Sequence, residues 1–284
     1  MMRFKISLLL SCLFLAVLAE PPSPPVPGVW KLTLNENFDS FDRSKWSTKL
    51  ETSKLTLGRS KCFFLDDNVF VENGNLIIET KKEKLKLQDR DGKFRKAKYS
   101  SGFVHNFRNF SQKYGYFEAR MKLPQVKGLW PAFWLMPDRS LSADTPFQVG
   151  LRSIKIEESS FTMRGGKGME IDVMEYLTEW KGKKVHHAAH WGGYKKDLKS
   201  YRTYSEIDIS KGFHKFGLLW QKDLLVWFID DKEVHRWENK RISDVPMYTI
   251  LSTNVGGWAT RWIQKKKLPD YTYVDYVRVW QLEN

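Results

Sequence analysis

Cysteine is nearly missing from this chain. There are two in 284 residues, and one of them, Cys12, lies inside an apolar N-terminal run. With that run removed as a leader, Cys62 stands alone, no intrachain disulfide can form, and the residue reads as small core packing. Apolar runs long enough to span a bilayer are also absent: Ile6 to Leu18 is too short, and no second candidate follows. No segment sustains a 3.6-residue hydrophobic period, which argues against helical bundles and coiled coils. No internal repeat is present. Acids are few relative to bases, 33 Asp and Glu against 47 Lys and Arg, for a formal charge of +14. That field favours polyanions. Nucleic acid is not the expected partner, because there is no recognition helix, no zinc-ligand spacing and no aromatic sheet signature of an RNA-binding module.

What is present begins with Arg3 and Lys5, the short apolar core, and Val17-Leu-Ala19. This is the pattern of a secretory signal, residues 1–19. Cleavage after Ala19 removes two bases and no acids, leaving +12. The expected location is secreted or periplasmic, with no membrane contact once the signal is gone. Residues 20–28 are a proline-rich linker, and 29–284 is read as one domain, expected to be a monomer. Along it, short alternating runs recur, among them Leu76-Ile-Ile-Glu-Thr80, Tyr116 to Lys122, Leu224 to Asp230 and Tyr273 to Gln281. Turn signals such as Glu72-Asn-Gly74 and Asp91-Gly92 separate them. The pattern predicts an all-β sandwich. The twelve Trp suit a large β core and a sugar-stacking groove alike.

Glu170-Ile-Asp172-Val-Met-Glu175 places three carboxylates in a stretch that otherwise reads as a buried strand. Residues two apart share a face, so Glu170 and Asp172 project together. Strict alternation sends Glu175 to the opposite face; one extra residue at Val173-Met174, a β-bulge, brings it back. The trio then has the parts of a retaining glycosidase: an ionised nucleophile, a proton donor, and an acid between them that tunes both. Three solvated acids on an edge strand, or a metal-binding strand, are the competing readings of those six residues.

The flanking segments bear on that choice. Lys113 to Pro124 leads into Gly128-Leu-Trp-Pro-Ala-Phe-Trp-Leu-Met-Pro137, followed downstream by His187-Ala-Ala-His-Trp191, Phe213 to Trp220, and Val274-Asp-Tyr-Val-Arg-Val-Trp-Gln281. In this order and spacing, from about Trp30 onward, the chain resembles glycoside hydrolase family 16, the group of laminarinases, lichenases, agarases, porphyranases, κ-carrageenases and endo-galactanases. The resemblance implies a β-jelly roll with a concave substrate-binding groove. It implies Glu170 as nucleophile, Glu175 as general acid/base and Asp172 as assisting acid. Trp130 and Trp134 resemble sugar-stacking residues, with Trp258 a third candidate, and His190 is placed near Glu175. Alternation puts Trp130 and Trp134 on one face, as a groove or a core would each require. His186 and His187 read as ordinary strand positions, and the spacing of the three histidines does not converge them on a metal. No catalytic cofactor is implied. A structural calcium, common in the family, would draw on Glu36, Asp275 and the Gly74 carbonyl.

The resulting expectation is a secreted retaining endo-glycosidase cutting internal β-linkages of a β-galactan or β-1,3-glucan. The alternative is a non-catalytic or transglycosylating polysaccharide-binding protein on the same fold. The basic charge suits an anionic polysaccharide, although lysine also serves surface solubility. Residues 138–167, carrying Arg139, Arg152 and Arg164, read as either a groove wall or an ornamental loop.

Overall fold

The computed structural model describes residues 21–50, 52, 54–138, 167–178, 184–257 and 262–283. The expectations for Trp258, the signal segment and most of the 138–167 loop lie outside the described residues. Among those described there is no α-helix, and sixteen strands follow one another. They are β1 (Trp30–Glu36), β2 (Cys62–Phe64), β3 (Val69–Glu72), β4 (Asn75–Gln88), β5 (Phe94–Ser101), β6 (Phe103–His105), β7 (Gly115–Lys122) and β8 (Leu129–Pro137). The second half comprises β9 (Glu170–Tyr176), β10 (Lys184–Trp191), β11 (Lys199–Glu206), β12 (Phe213–Gln221), β13 (Leu224–Ile229), β14 (Lys232–Glu238), β15 (Met247–Val255) and β16 (Asp270–Leu282).

Two sheets result. A ten-stranded sheet runs β14-β13-β12-β7-β16-β4-β5-β2, with β1 added on β16 and β3 on β4. A six-stranded sheet runs β11-β10-β9-β8-β15-β6. Their facing sides close over one apolar core. Phe133, Leu135, Ile171, Val185 and Ala189 of the smaller sheet share it with Phe117, Ala119, Met121, Phe216, Leu218 and Val277 of the larger. Every other residue of each strand is thereby committed to the core, and the residues between are left for the outer faces.

The tryptophans divide between these tasks. Trp227 and Trp237 stack on Tyr201 and Trp191 stacks on Trp237, the Tyr201 and Trp237 rings 4.7 Å apart and only 6° from parallel. Trp280 instead covers the far face of the larger sheet with Tyr116 and Phe228, and Val26, Trp30 and Leu32 pack there too. The proline-rich stretch is thus tied to the fold: Val26 also accepts the Trp30 indole N–H at 3.0 Å.

The carboxylates named for a structural calcium have protein partners. Both oxygens of Glu36 are taken, by the Phe38 N–H at 3.0 Å and the Trp46 indole N–H at 3.1 Å. Asp275 is held by Arg120 at 2.6 Å. Gly74 occupies the β3–β4 turn at φ +69°, in the left-handed conformation the tight hairpin requires. These contacts take both Glu36 oxygens and Asp275 Oδ2, and no step or structural role is derived from calcium.

Gly217 in β12 leaves no room for a side chain. A Cβ there would sit 2.0 Å from the Tyr116 hydroxyl, which together with Tyr276 donates to the buried Glu118 carboxylate. Gly217→Ala is therefore expected to cost about 1–3 kcal/mol by overpacking, read as a Tm lower by roughly 2–10 °C. Adding Tyr116→Phe should recover part of the loss. A fully additive double mutant would show that the clash is not the cause.

Candidate active site

The three acids stand on β9, the strand held between β8 and β10 near the middle of the smaller sheet. Ile171, Val173, Met174 and Tyr176 all lie in the core, so alternation breaks between Val173 and Met174. The pairing registers agree: Trp134 stands opposite Asp172 while the preceding Phe133 stands opposite Met174, and on the other side His186 meets Glu175 while Ala188 meets Asp172. One extra residue is absorbed there. Glu170, Asp172 and Glu175 consequently share the outer face.

Two buried side chains secure this kink. His187 Nδ1 lies 2.8 Å from the Val173 carbonyl and its Nε2 lies 3.0 Å from the Ser205 hydroxyl. A carbonyl can only accept, so Nδ1 carries the proton and Nε2 accepts from serine. Burial holds the His187 pKa down at about 3, so the ring is neutral. Trp227 donates its indole N–H to the Asp172 carbonyl at 3.0 Å. His187 had looked like an ordinary strand position; its task is visible only once the strands are paired.

Around the carboxylates, Trp130 donates to Glu175 Oε1 at 2.9 Å, and Trp134, half-buried, donates to Ser252 Oγ at 3.2 Å. Tyr194, an exposed residue after β10 that sequence reasoning passed over, donates its hydroxyl to Glu170 Oε2. His190 stands among all three acids, near enough for its charge to act on Glu175 as well as on Glu170. It stands in register with Glu170, and its Nε2 lies 3.2 Å from Asp172 Oδ2, with Nδ1 2.6 Å from the Ser200 hydroxyl. The register partner of Glu175 is His186. The side chains of Glu170, Asp172 and His190 converge within 4.8 Å. Their joint use by an ion is unneeded to explain that closeness, since His190 bridges Asp172 to Ser200.

Burial dominates the electrostatics. It pushes Glu170 up to about 7, with the neighbouring Asp172 charge adding to it. Burial also pushes Asp172 up to about 7, eased by the Arg202 cation. Glu175 is raised well above the ordinary carboxyl range, by burial first and then by the charges of Asp172 and Glu170. As pH rises, the pair beside His190 gives up protons while Glu175 keeps its own. One face thus offers an ionised carboxylate and a carboxylic acid side by side, the pairing needed to attack a glycosidic carbon and protonate its leaving oxygen.

A two-sheet β sandwich bearing such a trio defines a glycoside hydrolase, acting on O-glycosyl bonds. Residues 29–282 match the family model described as "Beta-porphyranase A-D, GH16 domain". The chain belongs to glycoside hydrolase family 16. It is similar to the β-glucanase of Rhodothermus marinus, 27% identical over 304 residues that cover 98% of this chain and 93% of that one. It is also similar to glucan endo-1,3-beta-glucosidase A1 of Niallia circulans, 24% identical over 93% of this chain, which spans only 39% of that relative's length. Among solved structures, the catalytic domain of an endo-1,3-beta-glucanase (laminarinase) from Thermotoga petrophila superimposes with a TM-score of 0.69 at 27% identity, covering 91% of this chain and 100% of that one.

The raised proton affinities carry a stability cost with a defined sign. A carboxyl whose folded pKa exceeds its unfolded value contributes stability below the unfolded value and loses it as pH rises through the folded one. Glu170→Gln should therefore leave Tm unchanged near about pH 4. Above about pH 7, where Glu170 ionises, it should raise stability by about 1–3 kcal/mol. Equal effects at both pH values in thermal melts would contradict the burial argument. Trp227→Phe, which keeps the stacked ring and removes the donor, should cost about 1–3 kcal/mol for the orphaned Asp172 carbonyl and lower kcat more than it raises KM.

Proposed function

We propose that the protein hydrolyses internal β-linkages of a polysaccharide by double displacement with retention of configuration. The observation that carries this reading is the placement of Glu175, the acid that holds its proton most tightly, on the same face as Glu170 and Asp172. In the first step the Glu170 carboxylate forms a bond to the anomeric carbon as the glycosidic C–O bond breaks, and Glu175 gives its proton to the departing oxygen. In the second, the Glu175 carboxylate takes a proton from water as the water oxygen bonds to the anomeric carbon and Glu170 is released. Tyr194 and Asp172 bias this sequence. The tyrosine hydroxyl occupies Oε2 of Glu170 and leaves Oε1 for attack, while a charge on Asp172 keeps Glu175 protonated. Trp130 and Trp134 offer half-exposed ring faces beside the reacting carbon, suited to the C–H face of a sugar.

For the substrate, we read a β-galactan first. The match to a model named for β-porphyranases supports it, as do cations on the same sheet: Arg202, exposed on β11 in register with Ala188 and acting on Asp172, and Lys184 on β10, 4.1 Å over the Tyr204 ring. A β-1,3-glucan is the second reading, favoured by the glucanase names of the relatives and of the superimposed laminarinase. The basic start and apolar run of residues 1–19 support export, to the periplasm or the medium.

Product sizing on agarose, porphyran, carrageenans and laminarin should give internal cuts in one of them, with the β-anomer appearing first by NMR. Glu175→Ala should lose about 10²–10⁴-fold on natural polymer, far less on an aryl glycoside with a good leaving group, and azide should rescue it to a β-glycosyl azide. Glu170→Ala should be rescued only to the α-azide. A first-formed α-anomer from the wild type, or no new reducing ends from any polymer, would overturn the reading.

A further inference from the structure

The hairpin of β4 and β5 holds charge that the cleavage site does not use. Residues 81–98 contain nine Lys and Arg against three Asp and Glu. Two of the acids turn inward to protein donors. Glu83 accepts from the Ser100 hydroxyl, and Asp89 closes the hairpin turn by accepting from the Lys93 N–H at 2.8 Å and from Arg95 at 2.9 Å. The lysines point out. Lys86 and Lys96 stand directly opposite each other in the antiparallel register, and the two-residue period puts Lys84 and Lys98 on the same side.

All four of these lysines are exposed, whereas Leu85, Leu87 and Ala97 on the other side of the ribbon are half-buried. Among the described residues, ion pairs in this region involve Lys81 and Arg95 and none of the four. Phe94, 64% exposed, lies next to them with the Lys86 ammonium 5.1 Å over its ring.

Like charges directly opposite on a strand pair are destabilising. Among the described residues no carboxylate pairs with Lys86 or Lys96 to offset that repulsion. A ligand carrying repeated negative charge would do so. We propose that this lysine face is a docking surface for a polyanionic polysaccharide, gripping sulfate or carboxylate groups along an extended chain outside the cleavage groove. The spacing favours a polymer over a small anion: the lysine face is exposed, and its ammonium groups recur at roughly 5–7 Å, the spacing of strand neighbours. Lysine rather than arginine suits a loosely registered charge, since an ammonium imposes no fork geometry. The ribbon also adjoins the groove. Tyr99 at its inner end belongs to the hydrophobic cluster against which Trp134 packs, so one long chain can lie across both.

The test does not depend on which bond the groove cuts. Binding to dextran sulfate, with neutral dextran as control, is measured across a salt series for the wild type, for Glu170→Gln, and for the fourfold variant K84Q/K86Q/K96Q/K98Q. The wild type and Glu170→Gln should bind dextran sulfate alike, with affinity falling steeply as salt rises. The fourfold variant should bind at least about 10-fold more weakly with a shallower salt slope. Its Tm should hold or rise, and its cleavage of short oligosaccharides should be unchanged. Equal binding by the variant, or no binding by the wild type, overturns the proposal. Duplex DNA or phosphatidylserine vesicles captured as tightly through the same lysines would overturn its assignment to polysaccharide.

Discussion

Two hydrogen bonds beneath β9 hold the site together. A bulge leaves backbone carbonyls without ladder partners, and a buried carbonyl without a donor costs about 1–3 kcal/mol. Here Val173 receives the His187 Nδ1–H and Asp172 receives the Trp227 indole N–H. Both donors are neutral and buried, so they satisfy the kink without bringing charge into the core. If the strand reverted to strict alternation, Glu175 would turn into the layer occupied by Val173 and Met174. A carboxyl there would lack both the Trp130 indole and access to a sugar. The chemistry on the outer face therefore depends on packing at the inner one.

The same arrangement explains why the acids sit in the body of a sheet rather than on a loop. Three carboxylates so close repel one another and resist desolvation together, and a flexible support would let them part and hydrate. β9 is paired along both edges, and β10, which carries His190, His187 and His186, is paired on both sides as well. The strain of proximity is thereby retained and converted into unequal proton affinities. Stability is spent at this strand and recovered in the shared core and in the stacked column of Trp191, Trp237, Tyr201 and Trp227 behind it.

Much of this was legible in the chain because it is local. Two-residue alternation identified the strands, and the count from Glu170 to Glu175 required an extra residue at Val173-Met174, where the registers indeed shift. What sequence could not supply are contacts between distant segments. Trp227 lies 55 residues from the carbonyl it serves, and only sheet order makes them neighbours. His187 differs from His186 and His190 by strand parity alone, which decides whether a histidine meets the core or the groove. Tyr194 follows Gly192-Gly193, both at positive φ, and a loop conformation of that kind decides where its hydroxyl lands. Likewise Glu36 and Asp275 read as open oxygen donors in the sequence, whereas the fold engages them with Trp46 and Arg120.

The surplus of basic residues is organised rather than uniform. Many surface cations are neutralised locally, Arg43 by Asp66, Arg120 by Asp275, Arg236 by Glu233. Near the acids the cation that eases Asp172 is Arg202, two strands away. It lowers a proton affinity without forming an ion pair that would neutralise the carboxylate. Among the described residues Lys84, Lys86, Lys96 and Lys98 of the β4–β5 ribbon enter no ion pair, and ions in solution screen their field over a short range. Charge beside the cleft acts on protonation, and charge on the ribbon can act only on what docks there. Polymer capture and acid–base chemistry are consequently carried by separate residues, and one can change without disturbing the other.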